Sequence, residues 1–294
     1  MENEPKKDWY DKKYKLMLFL PVLVLIICLV YLFKFHSSHG DLILRDSSLS
    51  GGTTITLQGD YDLKQLEAGL KSKFTDISVS AISDLTSGKQ LALIIESSAQ
   101  PEEVQSAVEG ILNIKLTDLN SSIEFSGASL GADFYKQLIF ALIISFCLMS
   151  LVIFFLFRTF IPSLAVIFAA FSDIVMPLAL IDFLGIKLSA AGIAAFLMLI
   201  GYSVDTDILL TTRVLKKHGG NVNQRIYSAF KTGIFMNIVG LLAVLPAFFL
   251  VTGLPDSFRQ IFLILAMGLC ADIINTWLTN ASIIKWYTVK KGII

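Results

Sequence analysis

Six apolar runs dominate the chain, at 16–33, 138–157, 162–184, 188–210, 232–251 and 261–284. Each is close to the ~20 residues with which a helix crosses ~30 Å of hydrocarbon, so they predict six transmembrane helices. Between the first two runs the pattern changes. Residues 51–57 alternate apolar and polar and are rich in β-branched side chains, which predicts a strand. Over 61–74, Leu63, Leu66, Leu70 and Phe74 recur at helical spacing. Residues 77–82 and 91–95 predict strands divided by a turn at Thr86-Ser87-Gly88. Pro101 then opens a helix with Glu102 and Glu103 in its first turn, where the dipole favours acids. A last strand is expected at 123–126. This β-α-β-β-α-β order is that of a split βαβ, ferredoxin-like domain. The expected fold class is thus a polytopic α-helical membrane protein of six transmembrane helices. An α+β ferredoxin-like domain stands outside the membrane between helices 1 and 2. The expected bounds are an N-tail at 1–15, the first transmembrane helix at 16–35 and the ferredoxin-like extracytoplasmic domain at 36–133. A five-helix transmembrane domain follows at 134–284, then a C-tail at 285–294.

Composition agrees: 54% of residues are hydrophobic and 16% charged, against about 25% charged in soluble domains. The region 36–133, by contrast, holds 14 Asp and Glu. Lys6, Lys7, Lys12, Lys13 and Lys15 precede the first run as they would a secretory signal. That run exceeds the usual apolar core of about 7–15 residues, and 34–39 offers no small-x-small cleavage site, so an uncleaved anchor is expected. Residues 211–231 hold Arg213, Lys216, Lys217, Arg225 and Lys231 and no acid, and 285–294 adds Lys285, Lys290 and Lys291. The short loops on the other side carry only Lys187 and Arg259. The positive-inside bias places both termini in the cytoplasm, in a multi-pass protein of the cell membrane. A net charge of +0 gives no case for a nucleic-acid partner. Cys28, Cys147 and Cys270 all fall in apolar runs, so the outer domain is expected to fold without a disulfide. His36 and His39 are spaced as metal ligands can be, but no clear third ligand stands near. A solvated stalk is the expectation there, with no metal and no cofactor.

The candidate chemistry lies inside the apolar runs. Asp173 falls in the third, Asp205 and Asp207 in the fourth, and Asp272 in the sixth. An ionised carboxylate at such a position costs about 2.5–3.5 kcal/mol on insertion scales, so a cavity, proton path or partner helix is implied. Asp205 and Asp207 lie about 200° apart around a helix and cannot share a face. One is expected to face the bundle interior and the other a different helix or the headgroup edge, and the sequence leaves open which. Asp205 is the first candidate for a proton-accepting group, and Gly201, a turn earlier, lets another backbone approach its face. Asp207 is read equally well as capping or snorkelling at the helix end. Asp173, near Pro177, either mends a kink or serves transport. Gly268, Asp272, Asn275, Thr276 and Thr279 recur at three- and four-residue spacing as a polar stripe, more often helix–helix glue than a proton path. Lys231, Thr232 and Asn237 open the fifth run, where Lys231 could pair with a carboxylate.

Two motifs carry a resemblance. Ser48-Leu49-Ser50-Gly51-Gly52-Thr53 resembles an Asp-Phe-Thr-Gly-Gly-Thr segment that follows the first helix of SecF proteins in the SecD/SecF family, part of the RND superfamily. Gly201-Tyr202-Ser203-Val204-Asp205, with Arg213 downstream, resembles the family's Gly-Tyr-Ser-Val-Asp-Asp-Thr and its Asp-Arg. The resemblance implies a SecF-like half of an RND-type assembly. Such a half works with a SecD-like membrane protein and the Sec translocon, uses the proton gradient and helps a translocating polypeptide across the membrane. It implies that Asp205 stands at the family's membrane aspartate and Lys231 at an arginine of Ser-Arg-Thr. Departures are Ser48 for Asp, Thr206 for the second Asp, a new carboxylate at Asp207, and a lysine without arginine's bidentate fork. They resemble the archaeal branch. The rival reading is half of an RND-type exporter of lipids or small molecules. An intramembrane aspartyl protease is not expected, since neither Gly-x-Gly-Asp nor a Tyr-Asp in an apolar run is present, so no enzyme activity is anticipated.

Overall fold

The computed structural model describes residues 9–83, 89–216, 220–250 and 256–292. The turn expected at Thr86-Ser87-Gly88, and Lys217, lie outside them. Six helices are long and apolar enough to cross a membrane, at Trp9–Ser38, Leu130–Phe157, Phe160–Phe183, Ala190–Lys216, Val222–Phe249 and Phe258–Lys291. They belong to α1 (Trp9–His39), α5 (Ala128–Phe157), α6 (Phe160–Phe183), α7 (Ala190–Lys216), α8 (Val222–Leu250) and a last composite helix. That composite is α9 (Asp256–Ile274), a π-helical segment (Asn275–Asn280) and α10 (Ala281–Lys291).

Several helices overrun their apolar runs, because apolarity marks the hydrocarbon while backbone hydrogen bonding continues into the charged flanks. Residues 9–15, expected as N-tail, begin α1. Of the expected 211–231 loop, the residues up to Lys216 belong to α7 and those from Val222 onward to α8, so Lys231 lies on α8. The expected 285–294 tail is helix as far as Lys291, and Lys285 is not a free tail cation: it is 1% exposed. Its ammonium lies 2.7 Å from the Asp11 carboxylate, 2.7 Å from Asn223 Oδ1 and 4.0 Å from the Tyr10 ring centroid. One buried cation thus ties the starts of α1 and α8 to the first half of α10.

Between α1 and α5 come α2 (Ser47–Ser50), β1 (Gly52–Gln58), α3 (Leu63–Lys71), β2 (Ser78–Ser83), β3 (Gln90–Ser97), α4 (Pro101–Leu112) and β4 (Ser121–Ser126). The strands form one antiparallel sheet ordered β2-β3-β1-β4, with Ile55 opposite Ile95 on one side and Ile123 on the other. Alternation puts Ile55, Leu57, Leu93 and Ile95 on one face. There Leu66 and Leu70 of α3 and Val104 and Val108 of α4 cover them. Each such side chain contributes roughly 1.5–3 kcal/mol on burial. Asp62 caps α3 by accepting from the Lys64 and Gln65 amides, and Pro101 opens α4 where its missing N–H is not needed.

This unit is sewn to the helices at the glycine motif. Gly51 (φ 84°) and Gly52 (φ 130°) adopt backbone that other residues resist, and a Cβ at Gly52 would lie 2.3 Å from the Ser97 carbonyl oxygen. Thr53 Oγ1 donates to the Ala99 carbonyl at 2.6 Å. Residues 44–46 pair with the α6–α7 turn: Leu188 N–H donates to Leu44 at 2.6 Å, and Asp46 N–H to Leu188 at 3.1 Å. The Asp46 carboxylate accepts from the Ser48 amide and hydroxyl, and Ser48 Oγ in turn accepts from the Ala190 amide at 3.0 Å. Lys187 of the turn forms an ion pair with Glu96 of β3. Burial, with the Glu96 charge nearby, pushes the Asp46 carboxyl up to about 6.

A candidate coupling site of three buried carboxylates

The buried face of α7 recurs at Leu199, Ser203, Asp207, Leu210 and Val214. That spacing turns Asp207 inward, towards α6 and the composite helix. Asp173 of α6 and Asp272 of α9 meet it there. All three are fully buried, and one carboxylate oxygen from each lies within 4.8 Å of the others. Close helix contact makes this possible: a Cβ at Gly268 would fall 2.3 Å from Leu199 Cδ1, and one at Gly233 of α8 would fall 2.3 Å from the Trp277 ring.

The shell around the trio is neutral and polar. Asp173 accepts from the Ser203 hydroxyl and, at 2.7 Å, from the Asn275 amide. Asp272 accepts from Asn237 of α8 at 2.7 Å and lies 2.9 Å through each oxygen from Thr206 Oγ1. Asp207 accepts from the Asn280 amide at 2.7 Å. Thr276 Oγ1 sits between two acids, 2.8 Å from Asp272 Oδ1 and 2.9 Å from Asp207 Oδ1. The π-helical segment supplies Asn275, Thr276 and Asn280. Its wider turn keeps Asn275, Thr276, Thr279 and Asn280 all buried, which a regular helix would spread further around its axis. Among the described residues no lysine or arginine pairs with the trio. Three negative charges this close in a low-dielectric interior are untenable, so the site must take up protons or a cation.

The structure corrects the expectation for Asp205. It lies on the exposed side of α7 with Gly201 and Tyr202, and Gly201 has nothing within 4 Å of an added Cβ. The 200° separation puts one aspartate in and the other out, and Asp207 is the one inside. Lys231 is also exposed and makes no ion pair among the described residues, so its expected pairing with a carboxylate is not seen within this chain. Arg213 donates to the Ser228 carbonyl at 2.6 Å and to Thr232 Oγ1 at 2.9 Å, fastening α7 to α8. Val204 packs with Ile153, Phe157, Val166 and Ala170. Sequence reasoning missed Asn280, Thr206 as a ligand of Asp272, and Asp182 at the end of α6, which accepts from the Leu44 amide. Asn280 was findable, standing four residues after Thr276.

A family model described as the C-terminal part of the protein-export membrane proteins SecD/SecF matches residues 109–290. Curated proteins named protein-export membrane protein SecF match almost end to end. The one from Methanolacinia petrolearia is 37% identical, covering 95% of this chain and 95% of that protein. The one from Methanothermobacter thermautotrophicus is 36% identical, covering 94% and 93%. The fold matches the crystal structure of SecDF from Thermus thermophilus, described as a translocon-associated membrane protein, with a TM-score of 0.76 at 17% identity. The match covers 98% of this chain but only 40% of that one. With the motifs, the six helices and these relatives agreeing, the chain belongs to the SecD/SecF family of protein-export membrane proteins, on its archaeal SecF branch.

Proposed function

We propose that this chain is the SecF subunit of a SecD/SecF assembly, which helps a polypeptide across the cell membrane beside the Sec translocon and draws on proton movement. The observation that carries the coupling is the trio of Asp173, Asp207 and Asp272. Thr276 has one hydroxyl proton and two carboxylate neighbours, so it can donate to only one at a time. A proton arriving at whichever acid holds the Thr276 hydrogen bond therefore turns that hydroxyl towards the other acid. It also removes the charge that the Asn280 amide stabilises on Asp207, or that the Asn237 amide stabilises on Asp272. The packing of α7 on the composite helix is biased accordingly, as in a two-state device.

The exposed face of α7 is read as the seat of the SecD-like partner. An ionised Asp205 facing lipid is costly, and a second six-helix half would cover it. The β-α-β-β-α-β unit is read as the expected ferredoxin-like domain, held outside the membrane to meet emerging polypeptide, with both termini cytoplasmic. An apolar cavity of about 460 Å³, lined by Val24, Tyr31, Met176, Phe183, Cys270 and Ile274, suits a lipid tail. No catalytic role is assigned.

The test is gradient-driven export of a secretory protein into membrane vesicles carrying the assembled complex. Asp207→Asn and Asp272→Asn should each lose at least tenfold of the gradient-dependent rate, on the scale of a lost proton-transfer group. Thr276→Val should lose less than either. Undiminished export in both aspartate variants would refute the coupling role.

A further inference from the structure

At the end of the bundle where α1 begins and α10 finishes, a groove of about 500 Å³ lies between the two helices. Tyr14, Lys15 and Leu18 form its α1 wall, and Ser282, Ile283 and Trp286 its α10 wall. Helical spacing makes both walls continuous, since Tyr14 and Leu18 stand one turn apart, as do Ser282 and Trp286. The other side of α10, with Ile284, Lys285 and Thr288, is buried in the bundle, so the groove opens outward.

The groove straddles the edge of the hydrocarbon. Leu18 and Ile283 lie inside the apolar runs 16–33 and 261–284, whereas Lys15 and Trp286 lie just beyond their ends. Tyrosine and tryptophan collect at that depth, where an apolar ring can keep a polar edge among headgroups. Lys290 brings a second cation to the mouth, its ammonium 5.0 Å from the Trp286 ring centroid. Over 9–15 and 281–291 there are six lysines and one acid, Asp11. Asp11 is taken by Lys285 at 2.7 Å, and neither Lys15 nor Lys290 forms an ion pair among the described residues. The cavity of about 460 Å³ differs: its described lining holds no charged side chain, so it has no means of choosing a headgroup.

We propose that the groove between α1 and α10 binds one anionic phospholipid. Its phosphodiester sits on Lys15 and Lys290 beside the Trp286 indole, and one of its chains runs along Leu18 and Ile283. Basic pockets between transmembrane helices take anionic headgroups in this way. The apolar half of the groove is what commits the site to a lipid over free phosphate. The site stands independently of the coupling role of the buried carboxylates.

The experiment uses the full chain with its native partner, in detergent micelles doped with phosphatidylglycerol or phosphatidylcholine. The acyl chains of both lipids carry bromine, which quenches tryptophan fluorescence on contact. The Trp286 signal is the difference between the unmodified complex and Trp286→Phe. Half-quenching by the brominated phosphatidylglycerol is expected at a mole fraction about fivefold or more below that for phosphatidylcholine, the factor that one lysine contributes at an anionic surface. Lys15→Ala combined with Lys290→Ala should bring the two lipids level. Lys34→Ala, exposed at the far end of α1, should keep the preference. Equal quenching by the two lipids in the unmodified complex would overturn the proposal, with no variant needed. So would a preference that survives in the folded, doubly substituted protein. A Trp286 signal that neither lipid quenches would overturn it as well, and would show that protein covers the groove.

Discussion

Asp46 shows how one residue's environment becomes a measurable property. Its carboxyl, ordinarily near 3.8, is raised to about 6 by burial and by Glu96. A folded-state pKa above the unfolded one means stability that is complete below pH ~4 and is lost as the pH rises through about 6. Asp46→Asn keeps a capping oxygen for Ser48 but carries no charge. The variant should therefore stabilise the junction by about 3 kcal/mol at pH 7.5, falling to about 1 kcal/mol at pH 4.5. Hydrogen exchange of the amides at 44–53, followed at both pH values, checks the sign and the slope. At this scale the sequence is only half legible. The glycine pair and the four intramembrane aspartates stand out by residue type alone. Which of Asp205 and Asp207 turns inward does not, because Met198 and Tyr202 make the outer face of α7 as bulky and apolar as the inner one. Without a polar face to set its phase, a membrane helix takes its rotation from its neighbours. Lys285 was misplaced for a related reason: an ammonium among chain-terminal lysines gives no sign of the Tyr10 ring and Asp11 waiting for it.

Among elements, the sheet unit and the membrane helices differ in how openly they declare themselves. Alternation and helical spacing announce every strand and helix between β1 and β4, since each has one wet face and one dry face. The pairing order β2-β3-β1-β4 follows only from packing. The π-helical segment leaves no mark in the pattern at all, because Asn275–Asn280 is a polar stripe in either geometry. Its extra backbone residue is what brings Asn275 to Asp173 while Asn280 remains on Asp207. Deleting Leu278 from that segment would restore a regular helix and turn one half of the shell away from the acids. The expected outcome is normal membrane insertion, seen by immunoblot of the membrane fraction, with export reduced to the level of Asp207→Asn.

For the whole molecule, the distribution of burial matters more than any single contact. The third, fourth and sixth spans are 61%, 56% and 56% buried in their most apolar windows, while the second and fifth are 6% and 11% buried. The exposed flank of α7 and α8 carries Tyr202, Asp205 and Lys231. If this flank receives the partner half, Tyr202→Cys should cross-link to a cysteine placed on the partner's matching helix. Phe33→Cys, on the exposed side of α1, should not. Cross-linking at both positions, or at neither, would place the partner elsewhere.

The exposed carboxylate and ammonium of that same flank also bear on the life of the chain in the cell. On the proposed seat of the partner half, a lone subunit would leave Asp205 and Lys231 uncovered, the kind of defect by which membrane quality control recognises an orphan. Assembly would then set abundance. In cells lacking the partner gene, pulse–chase labelling should show this chain degraded several-fold faster, and Asp205→Leu with Lys231→Leu should restore much of its lifetime without restoring export.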